Sequence, residues 1–568
     1  MLKRLTFRIQ PVFGAAILLL GFAPASMALT GVVKDSEGKP LEGVVVTAIE
    51  AAFDSTVRTS TSVFTNAEGL YEFPRLPNGH FDLRVRRMGW AEQTVTGLSP
   101  LHESQDFTLS LADEAELRRQ LPANVWAERI GFNDPELQRM YRIVCMLCHQ
   151  QGYELSRWPQ NLEQWEAVFD RMAHRQDARL TSEGRTQIAQ AMLDAYDTEG
   201  ELGFPRIPRS PTGKETRVEI TEWVLPQSGN LHDVAPGPDG KVYGADMDTN
   251  IIQRLDPANN TIEALNDPKS MPEPKRVLHS TMPSVDGRNM WFTYSGVNTV
   301  ASLNTESGEL TTYKFDILRG HWPHTMRFDQ QGTLWFTLSA TNQIGYIDEE
   351  GEIQIINVPT KTWRQWAMSK IPILAFVRWY RDVMDVVTTT DTEEMTTIYG
   401  IDIGLDGKVW FSLLNARQIG SYDPKTGAFD MIDTPFGGPR RFRIDSKGDL
   451  WIPAFVEGMV YRYSPTERKF YPYEIPTGKG DAQYSLTVHP KDDSVWLTGS
   501  NSDTLMRLDT ETREVKVFRL PSRVTWAREL YFDEVGDLWT SYSNMPVHFI
   551  EGGTSVFVRV RFLEDMAD

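Results

Sequence analysis

A repeated unit constrains the fold of this 568-residue chain more than any other feature. Between about residues 218 and 561 a polar or glycine turn, an aliphatic–aromatic pair and a hydrophobic strand return about every 40 to 45 residues. The aromatic of the seven units is in turn Tyr243, Trp291, Trp335, Trp410, Trp451, Trp496 and Trp539. Each unit makes a small sheet that cannot bury both faces alone, so stacking in a ring predicts a seven-bladed β-propeller.

The position near the propeller axis has an unusual composition. Counting eight residues back from each turn glycine reaches the start of the innermost strand, which lies at the face that usually binds ligands. In the sixth unit, where Lys491-Asp-Asp replaces the glycine turn, the equivalent position is Tyr484. The seven residues are His232, His279, His324, Tyr399, Arg440, Tyr484 and Arg528. The three histidines lie on consecutive units, so we expect their side chains to be adjacent.

These seven residues, called the axial ring below, are the candidate catalytic or binding site. The three imidazoles have the chemistry to bind a divalent metal with an open position. Alternatively, they act as acid and base groups beside an anionic or phenolic substrate, which Arg440 and Arg528 bind by charge. A third reading is a polar ring that only lines a water-filled channel.

The repeats resemble the streptogramin lyase (virginiamycin B lyase-like) propeller family. The stretch Leu334-Trp-Phe-Thr-Leu-Ser-Ala-Thr-Asn-Gln-Ile-Gly-Tyr-Ile-Asp348 is close to the pattern W-F-T-x-x-x-x-N-x-I-G-x-I-D of that family. The resemblance implies the propeller fold, and for the lyases themselves a magnesium-assisted acid/base ring opening. Their W-F-T-E carboxylate is missing, because the corresponding residues are Tyr294, Leu338, Leu413 and Ala454. The missing carboxylate argues against the lyase reaction.

The first 28 residues have the pattern of a signal peptide. Lys3, Arg4 and Arg8 precede an apolar run, and the small residues Ser26 and Ala28 follow it. A positive start, a short apolar segment and a small-x-small site indicate export with cleavage after Ala28. We therefore expect a periplasmic protein that is not an integral membrane protein once the signal peptide is removed.

Residues 29–112 alternate in hydrophobicity with a period of two, and turn residues separate the segments. This pattern predicts a small antiparallel β-sandwich. The segments Gly31-Val-Val-Lys-Asp-Ser-Glu-Gly38, Thr65-Asn-Ala-Glu-Gly-Leu-Tyr-Glu-Phe73 and Phe81-Asp-Leu-Arg-Val85 resemble the carboxypeptidase regulatory-like domain family. The resemblance implies a seven-stranded Ig-like sandwich without catalytic residues, so we interpret it as a spacer or docking module.

Residues 113–205 are helical in pattern and contain both cysteines of the chain, in the motif Cys145-Met-Leu-Cys148-His149. Four segments have helical spacing, namely Asp113–Leu121, Asp134–Val144, Leu162–Arg175 and Thr181–Tyr196. C-x-x-C-H attaches c-type haem: the two thiols form thioethers and the histidine ligates iron. A redox dithiol and a structural disulfide are the alternatives, but the adjacent histidine and the export signal favour haem.

The sequence offers three candidates for the distal haem ligand. The stretch Cys145 to Tyr196 resembles small cytochrome c domains that carry a W-x-x-x-x-x-R-M helix after the haem motif, and that resemblance points to Met172. His174 and Met192 are competitors for the same role.

An insertion at residues 362–397, aromatic and basic in its first half, interrupts the repeat. We expect a lid over the axial face, with a docking patch or plain core as alternatives.

Charge and composition narrow the function further. A net charge of −19 argues against nucleic acid as a partner, which needs a basic footprint. The whole is predicted to be a multidomain, mainly β protein with an Ig-like sandwich, a monohaem cytochrome c domain and a seven-bladed propeller. The leading hypothesis is an oxidoreductase that binds a small organic substrate at the axial ring and passes electrons through haem to a periplasmic acceptor or partner redox subunit. The alternatives are a lyase with an accessory haem domain and a non-catalytic electron-transfer or sensing protein.

Overall fold

The computed structural model describes residues 29–50, 57–74, 76, 79–99, 102–176, 182–197, 204, 207–265, 277–363, 365–366 and 396–563. The predicted signal peptide and most of the insertion at 362–397 lie outside these residues. Over the residues described, the chain is mainly β, and five α-helices lie between Glu114 and Tyr196, between two groups of strands. No helix in the described ranges combines the length and hydropathy that crossing a bilayer requires.

The N-terminal region forms an Ig-like sandwich of two sheets, as predicted. Within its described residues the strands are β1 (Leu29–Asp35), β2 (Val45–Glu50), β3 (Thr59–Phe64), β4 (Leu70–Phe73), β5 (Phe81–Arg86), β6 (Gln93–Leu98) and β7 (Phe107–Leu109). One sheet has the order β4-β1-β7 and the other contains β3-β2-β5-β6. Alternate side chains such as Val33, Val46, Phe73 and Leu83 point between the sheets and are fully buried. The period-two pattern therefore follows from one buried face per strand.

The middle region is helical, at nearly the predicted boundaries. Its described helices are α1 (Glu114–Gln120), α2 (Ala123–Ala127), α3 (Pro135–Cys145), α4 (Leu162–Gln176) and α5 (Ser182–Tyr196). Aspartates cap two of these helices: Asp113 accepts from the backbone N–H of Glu116, and Asp134 accepts from that of Glu136. Such caps satisfy N–H groups that a helix start leaves without a partner. We call residues 113–197 the helical region.

The remaining strands form propeller-like antiparallel sheets. Six four-stranded sheets are present in the described part of the chain, each made of strands that follow one another in sequence. The first three are β9 (Leu231–Pro236), β10 (Val242–Asp246), β11 (Ile252–Asp256) and β12 (Thr261–Ala264); β13 (Leu278–Pro283), β14 (Asn289–Tyr294), β15 (Thr299–Asn304) and β16 (Leu310–Lys314); and β17 (Pro323–Phe328), β18 (Leu334–Leu338), β19 (Gln343–Ile347) and β20 (Ile353–Asn357). The next three are β21 (Ile398–Ile403), β22 (Val409–Leu413), β23 (Gln418–Tyr422) and β24 (Phe429–Asp433); β25 (Arg443–Ile444), β26 (Leu450–Ala454), β27 (Met459–Ser464) and β28 (Lys469–Tyr473); and β29 (Leu486–Val488), β30 (Val495–Gly499), β31 (Thr504–Leu508) and β32 (Val515–Arg519).

The tryptophan of the repeat fixes the turn that precedes it. The indole Nε1 of Trp335 donates to Asp329 at 2.9 Å, and Trp451 and Trp539 donate to Asp445 and Asp533 at 2.8 Å. The other oxygen of Asp329 accepts two backbone N–H groups of its turn. A buried indole needs a hydrogen-bond acceptor, and the turn aspartate supplies one. This pairing accounts for three of the six tryptophans at this position of the repeat, whereas the indole of Trp496 donates to Ser494.

A continuous sheet joins the sandwich to the last propeller unit. This unit consists of β33 (Tyr531–Phe532), β34 (Leu538–Tyr542), β35 (Val556–Phe562) and β8 (Val218–Val224), the strand that directly follows the helical region. β8 pairs with β35 on one side and with β3 of the sandwich on the other. The result is one eight-stranded sheet of order β33-β34-β35-β8-β3-β2-β5-β6. Because β3 and β8 pair with each other, neither of these two strands has an unpaired edge at which another chain could add a strand.

Charged side chains reinforce this junction. Glu551 of the last unit accepts from Arg84 at 2.9 Å and from Arg86 at 2.6 Å, both on β5 of the sandwich. Burial by itself would raise the pKa of Glu551, but hydrogen bonds from Arg86 and the charges of Arg84, Arg86 and Arg523 lower it to about 2. The Glu551 carboxylate therefore stabilises the junction in its charged form.

Replacing Glu551 with glutamine is expected to destabilise the folded protein by about 2 kcal/mol at pH 7, because two charge-assisted hydrogen bonds weaken. A lowered carboxyl pKa means that the folded state binds fewer protons than the unfolded state. The stabilisation is therefore complete above the ordinary glutamate pKa and is lost as the pH falls through about 2. Denaturant unfolding of both proteins from pH 7 to pH 2 measures the effect. Glu114→Gln, which removes an exposed ion pair, is the control, and a pH-independent difference for Glu551→Gln would contradict the assignment.

Candidate functional site

The seven axial-ring residues are brought together at one end of the sheets. His232, His279, His324 and Tyr399 each lie where the innermost strand of a unit carries a β-bulge, an extra residue relative to its partner strand. A bulge turns a side chain away from the regular alternation. The ring residue and the residue after it can therefore both face the axis.

A hydroxyl from the second strand stabilises each of three bulges, and sequence reasoning missed this set. Thr293, Thr337 and Ser412 accept from the backbone N–H that follows the ring residue, at 2.9 to 3.1 Å. Each hydroxyl also donates to the ring-residue carbonyl of the next unit, at 2.9 to 3.3 Å. All three lie two residues after the repeat tryptophan, so a hydroxyl at that position is the signal that could have found them.

The histidine half of the ring is a contiguous stack. Ring centroids are 3.6 Å apart for His232 and His279, 4.2 Å for His279 and His324, and 4.4 Å for His324 and Tyr399. The Nδ1 atom of each histidine contacts the next residue along the chain, Asp233, Ser280 or Thr325. Burial, followed by neighbouring charges, lowers the pKa of all three histidines well below the ordinary value, so they are neutral at pH 7.

The other half of the ring is a network of tyrosines and arginines. The hydroxyl of Tyr399 donates to that of Tyr484 at 2.6 Å, and Arg440 donates to Tyr399 at 3.1 Å. Arg528 donates through Nη1 to the Tyr484 hydroxyl and to His232 Nε2, both at 3.0 Å. Burial favours the neutral phenol, but the charges of Arg528, Arg440 and Arg441 outweigh it and lower the pKa of Tyr484.

A second layer, made of charged side chains, lies next to the axial ring. Arg441 donates to both carboxylate oxygens of Asp233 at 2.9 Å and to Glu529 at 2.7 Å. Glu529 also accepts from Arg443 and, at 3.2 Å, from Arg327. These side chains are almost completely removed from solvent. The layer links the first, third, fifth and seventh units through buried ion pairs.

The predicted metal site coincides in part with this layer. Donor atoms of His232, Asp233 and His279 lie within 4.8 Å of one another. The Asp233 oxygens, however, are bound by Arg441, and His232 Nε2 accepts from Arg528. A cation at this position would compete with two guanidinium groups for the same donor atoms. A divalent metal at the propeller histidines therefore stays a prediction that metal analysis can test.

The C-x-x-C-H motif lies at the end of α3. Cys145 is the last residue of the helix, and neither it nor Cys148 is in a disulfide. Burial raises the pKa of Cys145 to about 12 and also raises that of Cys148, so both thiols are protonated. His149 Nδ1 is 2.8 Å from the carbonyl oxygen of Gln150 and 3.2 Å from Nε2 of Gln151; the shorter contact favours a proton on Nδ1, which leaves the lone pair on Nε2.

The axial ring contacts the C-x-x-C-H turn directly, which the sequence did not predict. Arg528 Nη2 donates to the carbonyl of Cys148 at 3.0 Å, and Arg440 Nη2 lies 3.5 Å from that of Leu147. Gln150 and Gln151, which follow His149 in the chain, also bind the propeller-like sheets. Gln150 N–H donates to Asn544 at 2.9 Å, and Gln151 N–H donates to Asn501 at 2.8 Å.

The helical region as a whole covers this end of the propeller. Arg142 of α3 donates to the carbonyls of Phe455, Lys479 and Asp481, and Asn124 of α2 donates to that of Thr477. One hydrophobic core is shared by the two parts. It contains Trp126, Tyr141, Met146 and Met192 on the helical side and Tyr399, Phe455, Tyr484 and Trp526 on the propeller side.

As a consequence, the axial ring is buried. None of its seven side chains belongs to a residue more than 6% exposed. The sequence predicts a pocket that a substrate enters from the axial face, with the insertion as its lid. In the described residues the helical region covers the axial ring, because its apolar face packs there. The insertion lies largely outside the described residues, so its predicted role is untouched.

The three candidates for the distal haem ligand differ in their surroundings. Met172 is half-buried on α4, whereas Met192 is 1% exposed in the core of the helical region. The side chain of His174 lies outside the described residues. The assignment of Met172 stays a prediction.

Comparisons with known proteins support two of the three predicted parts. Residues 28–118 match the family described as carboxypeptidase regulatory-like domain, and residues 171–392 match the virginiamycin B lyase family. The chain is thus similar to a carboxypeptidase regulatory-like domain followed by a virginiamycin B lyase-like β-propeller. No curated protein matches it.

Two solved structures that are similar to this chain are a streptogramin B lyase and a virginiamycin B lyase. A streptogramin B lyase structure has 18% identity and a TM-score of 0.49, over 62% of this chain and 99% of its own. The virginiamycin B lyase of Staphylococcus aureus has 17% identity and a TM-score of 0.48, over 60% of this chain and 99% of its own.

Proposed function

We propose that this protein is a periplasmic haem c protein, the electron-transferring part of an oxidoreductase, built on a seven-bladed propeller. The observation that carries the proposal is the arrangement of the C-x-x-C-H turn. Both thiols are free, and the Nδ1–H of His149 is directed to a backbone carbonyl. Such a hydrogen bond orients the ring and is the usual second contact of a metal-ligating histidine.

Cys145 and Cys148 would hold the haem through thioethers, His149 would be the proximal ligand and Met172 the distal one. When bound, the haem supplies one-electron oxidation and reduction. The residues of this chain anchor, orient and shield it. Cys145 lies at the end of α3, and Cys148 and His149 lie in the turn that follows. The propeller holds this turn through the hydrogen bond from Arg528 to the carbonyl of Cys148.

The buried axial ring changes the role proposed for the propeller. An organic substrate at the ring would have to displace the helical region, whose core is continuous with that of the propeller. We therefore propose that the propeller is a platform for the haem-bearing region. Electrons would pass between the haem and a periplasmic acceptor or partner redox subunit, and the organic substrate would be oxidised on that partner.

The test is the haem content of protein expressed in a periplasm with c-type maturation. We expect one covalent haem per chain, seen in the haemochrome spectrum and on a denaturing gel stained for haem. Cys145→Ala with Cys148→Ala should remove it completely, while Met192→Leu, a core change of similar volume, should retain it. Metal analysis of the same sample should find iron, and any further divalent metal would point to the propeller histidines. Wild-type protein without covalent haem would contradict the proposal.

A lyase is the second candidate, and the match of residues 171–392 to the virginiamycin B lyase family favours it. Neutral His279 and His324 have the protonation state that a general base requires at pH 7, and the general acid of such a reaction would come from another group. Incubation with a streptogramin B tests this reading by detecting the linearised product. Product that forms without any change in haem redox state, and disappears in His279→Ala, would favour the lyase over the redox protein.

A further inference from the structure

Two arginines of the axial ring are buried without a counter-ion. Arg440 is 0% and Arg528 3% exposed. Across the described part of the chain, neither forms an ion pair with a carboxylate, whereas Arg441 beside them binds both Asp233 and Glu529. A buried charge without a partner is costly, and it is usually retained where it serves a site.

The surroundings of Arg440 are more unusual still. Its guanidinium lies 3.8 Å from the ring centroid of Tyr484 and 4.0 Å from that of Phe455, between the two aromatic faces. Its Nε and Nη1 atoms are fully buried and make no hydrogen bond in the structure. Aromatic faces hold a cation in place but leave its charge largely uncompensated.

Both guanidinium groups are directed at the same short segment. Arg528 binds the carbonyl of Cys148 and Arg440 approaches that of Leu147, so the two charges lie against the turn that carries His149. Nε of Arg528 is fixed by Ser543 Oγ at 2.7 Å. The guanidinium group of Arg528 is therefore held in place from the propeller side of the contact.

We propose that Arg440 and Arg528 are positioning residues of the haem site, which fix the C-x-x-C-H turn and raise the reduction potential of the haem through their uncompensated charge. This inference rests on the proposed function, because it requires haem at the turn. Reduction adds one electron, and two fixed positive charges close by stabilise the reduced state relative to the oxidised one. The low dielectric constant around buried groups strengthens the effect.

The propeller thereby acquires a chemical role without touching a substrate. If the polar ring only lined a channel, water would hydrate it and would screen its charge. Here the ring is covered by the helical region, so its charge acts on the turn instead.

Spectroelectrochemical titration of the full-length holoprotein tests the proposal. We expect Arg440→Gln and Arg528→Gln each to shift the equilibrium constant for reduction about tenfold towards the oxidised state, which is about 59 mV lower in potential. Arg443→Gln is the matched control: it removes the same charge from a similarly buried arginine, but that arginine is paired with Glu529. The equilibrium constant for haem reduction in this variant should stay within about threefold of the wild-type value.

The Arg528→Lys variant separates the effect of the positive charge from the effect of the guanidinium geometry. Lysine keeps the positive charge, so it should restore most of the potential that Arg528→Gln loses, while the loss of the fork geometry alters the haem absorption bands. Unchanged potentials in both glutamine variants, with haem bound, would overturn this inference and leave the proposed function intact. Wild-type protein without haem would overturn the proposed function and this inference with it.

Discussion

Replacing Glu529 with glutamine is expected to destabilise the protein by about 3 to 5 kcal/mol, one of the two largest effects predicted for a single substitution. The Glu529 carboxylate binds Arg441, Arg443 and Arg327, which belong to the fifth and third units. Its neutralisation leaves three buried guanidinium groups with only Asp233 and the more distant Asp402 as counter-ions. Removing one partner of a buried ion network costs far more than removing a surface pair, because the remaining charges stay desolvated.

Denaturant unfolding measured by tryptophan fluorescence gives this difference directly. Glu263→Gln is the control, because Glu263 pairs with Arg254 on an exposed sheet edge and should contribute less than about 1 kcal/mol. The prediction fails if the two variants unfold at the same denaturant concentration. That result would mean that water enters the layer and solvates the arginines.

Replacing Arg142 with alanine is expected to weaken the docking of the helical region by about 3 kcal/mol. Arg142 donates to three backbone carbonyls of two propeller loops. Its loss would leave buried carbonyl groups without donors, and each charge-assisted bond contributes about 1.5 to 3 kcal/mol before the groups relax. We expect faster hydrogen exchange in α2 and α3 and earlier proteolytic cleavage between the helical region and the propeller.

Arg139→Ala is the matched control for this second effect. Arg139 lies one turn earlier on α3 and is equally buried, but it pairs with Glu136 of its own helix. It should change helix stability with little effect on exchange in the propeller loops around Phe455 and Asp481. Equal exchange changes at these loops in the two variants would show that Arg142 acts only within the helix.

The sequence predicts the axial ring because its spacing is set by local geometry. The turn glycine, the second strand and the bulge recur at constant separations, so counting back from Gly287 or Gly332 reaches His279 or His324 without knowledge of the tertiary fold. The bulge itself leaves a trace, since polar pairs such as His279-Ser280 stand where strict alternation would put one apolar residue. The helices follow in the same way from apolar spacing and aspartate caps.

The covering of the ring could not be predicted in this way. The contact between Cys148 and Arg528 joins residues 380 positions apart, and no periodic pattern connects the two. The apolar face of the helical region predicts that something packs against it, but does not identify the partner. The same holds for β3 and β8: both have the composition of ordinary strands, and only the folded chain shows that they share an edge.

The pairing of β8 with β35 has a consequence for biosynthesis. Cys145, Cys148 and His149 are made before every strand of the propeller, whereas Asn501, Arg528 and Asn544, which enclose their turn, come more than 350 residues later. The last unit closes only when β35 pairs with β8. In the folded chain the turn is bonded to Asn501, Arg528 and Asn544, so we expect covalent modification of the two cysteines to precede this closure.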